Sequence, residues 1–195
     1  MIMSPGLSLL SNILLDNIMN KKLEKYFGGL WQEDMSYKFS GESLVKVVND
    51  LKPKKVLDVG CGYNFFKNKI DNLTGIDPYN DQADIMTRIE DFKSEEKYDV
   101  ILALGSINFG SRLTINNQLY KIDKLLAPGG RIYFRVNPGL EHHWAKEESK
   151  GIVFFPWDLS YIASYTKRYN YSLLEFQTEY NKQGSKRFYF VVQKI

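Results

Sequence analysis

The chain has 195 residues, of which 44% are apolar and 25% charged, with a net charge of +3 and a single cysteine. This balance belongs to one globular domain able to bury a core, and it excludes a disordered or collagen-like chain. No apolar run approaches the ~18 residues that a membrane-spanning helix needs. Lys and Arg are interleaved with acids rather than gathered into a stripe, so no duplex nucleic acid is expected as partner. The one cysteine, Cys61, excludes an intramolecular disulfide and fits a reducing compartment. The opening segment has no basic residue before its apolar part, and Ser11, Asn12, Asp16 and Asn17 interrupt it. It is not read as a signal peptide, and a cytoplasmic location is expected.

In chain order, Ser4 and Pro5 suit an N-cap and first helical position. Leu7, Leu10, Leu14 and Ile18 then recur at helical spacing, which predicts an amphipathic helix to about Tyr26, closed by Gly28 and Gly29. This helix covers either the core or, as a lid with Trp31, Met35, Tyr37 and Phe39, a ligand crevice. A second helix is expected from about Ser40, with Leu44, Val45, Val47, Val48 and Leu51 apolar, ending at Lys52-Pro53. Val56-Leu57-Asp58-Val59 reads as a buried parallel strand that breaks into Gly60-Cys61-Gly62-Tyr63-Asn64, and a short helix is predicted over 65–70. Residues 73–77 form a second strand, stopped by Pro78, and a poorly marked third strand lies near 83–87. Residues 97–104 predict a fully buried fourth strand. The stretch 113–126 predicts an amphipathic helix stopped by Pro128-Gly129-Gly130, and 131–136 a fifth strand. Asp158 can cap a helix to about Tyr169. Residues 172–180 and 187–193, joined by a polar loop containing Gly184, read as a hairpin. The order implies an α/β three-layer sandwich with a Rossmann-like, mostly parallel seven-stranded sheet and one antiparallel edge strand. The expected organisation is one domain over 1–195. It comprises N-terminal helices over 1–52, a half over 53–136 that carries the glycine turn, and a half over 137–195 with the C-terminal hairpin.

Glycines at a strand-to-helix turn let backbone approach a ligand, and this turn lies where open α/β sheets bind theirs. A dinucleotide fingerprint would require glycine at position 65, which is Phe. Asp58, at the strand end, would repel a pyrophosphate charge ~4 Å away by roughly 4 kcal/mol at an effective dielectric near 20. No phosphate-binding Gly-Lys-Ser/Thr occurs.

Asp58-Val59-Gly60-Cys61-Gly62-Tyr63-Asn64 instead resembles the first motif of the class I S-adenosylmethionine-dependent methyltransferases, acid-x-Gly-x-Gly-x-Gly, with Asn64 replacing the last glycine. Asn tolerates positive φ, so the turn survives the exchange. The resemblance runs over about 55–136 and implies S-adenosyl-L-methionine as cofactor. It places the acid Asp77, followed by Pro78, on the ribose hydroxyls, and Asp58, Gly60, Cys61, Gly62 and Asn64 around the amino-acid tail. Ile89 would flank the adenine, with Glu90 or Asp91 on its amino group. Tyr98-Asp99-Val100-Ile101 resembles the fourth-strand motif, which puts Leu104, Gly105 and Ser106 beside the methionine part. Leu125-Leu126-Ala127-Pro128-Gly129-Gly130 is also typical.

The implied activity is methyl transfer to an acceptor for which a small molecule is favoured, with a protein or RNA acceptor as the alternative. Leu104-Gly105-Ser106-Ile107 lacks the Pro-Pro-aromatic signature of amino-methylating DNA enzymes. Cytosine-carbon methylation would need a Pro-Cys nucleophile, which is absent. A non-catalytic cofactor-binding subunit and an aminopropyl-transferring relative are rival readings. His142 and His143 are the candidates for a general base; no metal site is spelled out. Cys61 reads as a packed residue, and the aromatic segment from Trp144 to Trp157 as either a wall of the acceptor pocket or a dock for the last helix.

Overall fold

The computed structural model describes residues 18–32, 34–138 and 151–195. Its first element is a helix over 18–27, α1. In chain order there follow α2 (Leu44–Asn49), β1 (Val56–Val59), β2 (Leu73–Asp77), β3 (Ile85–Met86), β4 (Tyr98–Leu104), α3 (Arg112–Leu125) and β5 (Leu126–Val136). The last three are α4 (Leu159–Arg168), β6 (Tyr171–Tyr180) and β7 (Lys186–Lys194). They build one sheet of seven strands in the order β3-β2-β1-β4-β5-β7-β6. Strands β1 to β5 run parallel, whereas β7 pairs antiparallel with both β5 and the edge strand β6. The expected mostly parallel sheet with an antiparallel edge element is therefore present.

Period-two alternation makes the three layers. On one face Leu57, Ile101, Ile132 and Phe134 pack against Ile115 and Leu119 of α3, with α4 on the same side. On the other, Val56, Val100, Leu102 and Tyr133 pack against Leu44 and Val48 of α2. The four residues of β1 are all buried, as a central strand covered on both faces requires. Capping fixes where two helices start. Ser111 Oγ accepts from the Thr114 backbone N–H at 3.2 Å, and the Asp158 carboxylate accepts from that of Tyr161 at 2.7 Å.

Sheet order reverses between β1 and β4, the switch point at which open α/β sheets form their ligand crevice. Register keeps the strand ends level, with Val59 opposite Ile76 and Asp58 opposite Leu102. The reversed direction of β7 matters for the site. Phe188 sits opposite Val136 and Tyr189 opposite Arg135, so the β6–β7 loop arrives at the crevice edge of the sheet.

One expected element does not form. Residues 65–70 are a run of turns and not a helix. Asn64 and Asn68 hold φ of +57° and +63°, left-handed values that interrupt a right-handed helix after each, and only isolated turn bonds such as Lys69 N–H to Phe66 O remain. The second helix is also shorter than its apolar pattern and ends before Leu51, which is exposed, as is Val47 within the helix.

The end of β5 is anchored by Trp157, which is fully buried between Phe134, Tyr161 and Phe190 and donates its indole N–H to Ile107 O at 2.8 Å. Trp157→Ala removes this packing and orphans a carbonyl, so urea unfolding should show a loss of about 3–5 kcal/mol. A loss below about 1 kcal/mol would contradict the packing role.

Candidate functional site

After β1 the chain turns through three left-handed residues, Gly60 (φ +70°), Gly62 (φ +55°) and Asn64 (φ +57°). Two of these also need the space that a side chain would take. A Cβ on Gly60 would lie 2.3 Å from Ser106 Cβ, and one on Gly62 would lie 2.6 Å from the Trp31 ring. The loop is thus pressed between the end of β4 and the indole, which stacks on Tyr63 at 5.6 Å.

Asp77 ties this loop to β2. Its Oδ2 accepts the Gly62 N–H at 3.1 Å, and its Oδ1 accepts those of Tyr79 and Asn80 at 2.8 and 3.0 Å. Burial pushes the Asp77 carboxyl above its ordinary value, against the pull of those three bonds. Asn64 lies beneath the loop: its side-chain amide donates to Gln82 O at 3.0 Å and approaches Asp84 at 3.4 Å. Asp84 in turn accepts the Gly75 N–H at 2.8 Å and pairs with Lys67. The Cys61 thiol is pushed far up, first by burial and then by the charges of Asp58, Asp77 and Asp84, so it has no thiolate character near neutral pH.

Two adjoining cavities open above the strand ends. One, of about 190 Å3, has Asp58, Gly60, Gly62, Asp77, Gly105 and Arg135 on its walls. The other, of about 280 Å3, is bordered by Ile89, Glu90, Ile107 and Gln118. They share Leu23, Gly60, Pro78, Tyr79, Ser106 and Phe109 along their common border. Glu90 is steadied by the Gln118 amide at 2.8 Å. Above, Phe27 of α1 packs on Trp31, Tyr79 and Phe109, and Phe109 on Phe154. Thus α1 and the segment after it cover the crevice.

Of the residues singled out in the sequence, Asp58, Gly60, Cys61, Gly62, Asp77 and Pro78 line the first cavity, as do Leu104, Gly105 and Ser106. Ile89 and Glu90 line the second. Asn64 borders neither and acts on the loop from below. His142 and His143 lie outside the described residues, as does Trp144. Phe154 reaches the cavity wall, whereas Phe155 and Trp157 dock α4.

Sequence reasoning missed a buried polar cluster at the far end of the first cavity. The Glu179 carboxylate accepts the N–H groups of Phe39 and Ser40 at 3.0 and 3.1 Å and the Ser40 hydroxyl. Asp34 accepts from Ser36 N–H at 2.8 Å and from the Asn181 amide at 2.9 Å. Although burial alone would raise it, these bonds and the Arg135 charge hold the Asp34 carboxyl below its ordinary value. Arg135 and Arg187 both lie over the Tyr37 ring, at 4.5 and 5.9 Å from its centre. The available signal was a charged residue at the crevice end of an otherwise buried strand, Arg135 in β5, and a buried acid and base flanking the hairpin loop.

No protein-family profile matches the sequence, and no curated protein matches it. Solved structures do match in fold. The N-methyltransferase NodS of Bradyrhizobium japonicum, in complex with S-adenosylhomocysteine, superimposes with a TM-score of 0.63 over 92% of this chain and 98% of its own at 14% identity. The 1,6-didemethyltoxoflavin-N1-methyltransferase of Burkholderia thailandensis, with its substrate and S-adenosylhomocysteine bound, gives 0.68 over 100% and 92% at 13% identity. Magnesium protoporphyrin IX methyltransferase of Synechocystis, with bound cofactor, gives 0.59 over 93% and 84% at 10% identity. The chain therefore has the Rossmann-like fold of the class I S-adenosylmethionine-dependent methyltransferases.

Two predictions follow from the loop geometry. Asn64→Ala should be less stable than Asn64→Gly by about 1 kcal/mol, because only the former forces a non-glycine Cβ into a left-handed residue without Asn's local bonding. Equal unfolding midpoints would contradict the φ of +57°. A carboxyl whose folded pKa is raised favours the protonated form, so its contribution to stability is lost as pH rises through a window opening at 3.8. Wild-type stability measured relative to Asp77→Asn should accordingly fall across that window, and a rise would overturn the dominance of burial.

Proposed function

We propose that the chain binds S-adenosyl-L-methionine and transfers its methyl group to a small-molecule acceptor. The observation that carries this reading is the buried Asp77 carboxylate, locked to the Gly62 N–H on the wall of a cavity that also holds Asp58. Three acids, Asp58, Asp77 and Asp84, bear on the glycine loop. That field suits a ligand with an ammonium and a sulfonium and opposes one with phosphates. Ser106 Oγ is buried without a hydrogen-bond partner where the two cavities meet, as a wall made for a polar ligand would leave it.

On this reading Asp58 receives the ammonium of the cofactor, Asp77 the ribose hydroxyls, and Ile89 with Glu90 the adenine. The cofactor supplies, when bound, a methyl group made electrophilic by its sulfonium. The chain's own work is positioning and water exclusion. Phe27, Trp31, Phe109 and Phe154 form an apolar roof. Orientation of two reactants can supply about 7–11 kcal/mol of a barrier. Tyr37 is not suited to take a proton from an acceptor, since burial pushes its hydroxyl up against the pull of Arg187 and Arg135. A general base, where an acceptor needs one, is proposed to come from His142 or His143. The methyltransferases from Burkholderia thailandensis and Synechocystis, whose names give a small molecule as substrate, support the acceptor class by analogy of fold.

Calorimetric titration of the purified chain with S-adenosylmethionine and with S-adenosylhomocysteine should show binding of both. Asp77→Ala should weaken each by about 1.5–3 kcal/mol, the worth of a hydrogen bond to a charged group. Absence of heat with either compound would sink the reading.

A further inference from the structure

Resting on that function, we infer that the acceptor carries a carboxylate and that Arg135 is the residue that holds it. Arg135 is the next-to-last residue of β5, and the parallel sheet places it one strand spacing, about 4.8 Å, beyond β4 on the side away from the glycine loop. Its guanidinium donates from Nη2 to Leu104 O at 2.8 Å and only loosely, at 3.4 Å, from Nη1 to Ser40 O and Oγ. Among the described residues no carboxylate lies within ion-pair distance of it. A guanidinium carries five donors in a fork, and these contacts leave some to spare, Nε among them.

Gly105 lies beside Nη2 and Nε on the wall of the same cavity. A Cβ there would come to 3.6 Å from Nη2 and 4.0 Å from Nε, and the φ of +107° at Gly105 disfavours any such side chain. The two acids nearby are engaged elsewhere. Glu179 holds the backbone of Phe39 and Ser40, and Asp34 holds Ser36 and the hairpin residue Asn181. They fix the surroundings of Arg135 without presenting an oxygen to it.

Among the described residues the remaining donors of this partly buried cation meet no protein acceptor, and a bound anion can take them. Asp34 and Glu179 belong to the same cluster, and their charges oppose a dianion more than a single negative charge, which favours a carboxylate over a phosphate dianion. The aromatic roof across the cavity suits the apolar remainder of such a molecule.

The test is a titration of the chain saturated with S-adenosylhomocysteine, read by the 15N-edited Arg Nε–H resonances and by Trp fluorescence, and repeated on the chain without it. Sodium benzoate should bind in the millimolar range, with benzamide and inorganic phosphate roughly ten-fold weaker or absent. Arg135→Gln should lose benzoate affinity by about ten-fold or more and keep S-adenosylhomocysteine affinity within about two-fold. Arg135→Lys, which keeps the charge without the fork, should fall between. Benzoate and benzamide binding alike, or benzoate binding unchanged in a folded Arg135→Gln protein, would overturn the inference. So would loss of S-adenosylhomocysteine affinity in that variant, since Arg135 would then hold the cofactor's own carboxylate. Wild-type chain that binds benzoate and not S-adenosylhomocysteine would instead refute the proposed cofactor while leaving the carboxylate subsite standing.

Discussion

Asp77 is the constraint on which the site depends. One carboxylate accepts the N–H of Gly62 from the loop after β1 and those of Tyr79 and Asn80 from the turn after β2. Burying it raises the cost of its charge, and three donors offset part of that cost. Moving the carboxylate would release both turns together. The glycine loop, with its left-handed residues at 60, 62 and 64, thus keeps a shape that exposes Asp58 and Asp77 to the same cavity. Asn64 and Asp84 secure the loop from below, by bonds to Gln82 and to Gly75.

The sheet carries that local arrangement across the crevice. Level strand ends set the loops after β1, β2 and β4 side by side, and the reversed β7 returns the β6–β7 loop to the same edge. Two kinds of wall result. Acids surround the end near the glycine loop, and a cluster that includes two arginines and two acids lies at the end near the hairpin. The aromatic roof from α1, Trp31, Phe109 and Phe154 closes over both.

The glycine-loop side of the crevice was legible in the sequence because its determinants are local. Val56 to Val59 and Tyr98 to Leu104 are short, largely apolar runs that read as buried strands, and Gly60, Gly62 and Asp77 occur at short, fixed spacings. Asn64 was expected in the left-handed region and is found there, although it supports the loop and does not line the cavity. The helix expected over 65–70 failed for the same reason: a second left-handed asparagine, Asn68, breaks a pattern that apolar spacing alone reads as helical. The arginine–acid cluster was not legible because its partners stand far apart in the chain. Ser40 meets Glu179 across 139 residues and Arg135 across 95. Only the topology that returns the hairpin to the crevice brings them together. His142 and His143, read as candidate bases, fall outside the described residues.

The most direct measurement is a crystal structure of the chain grown with S-adenosylhomocysteine. The account predicts the ribose hydroxyls within hydrogen-bond distance of Asp77, the adenine in the cavity bordered by Ile89 and Glu90, and the ammonium toward Asp58. A product bound elsewhere, or with its ribose turned away from Asp77, would contradict it.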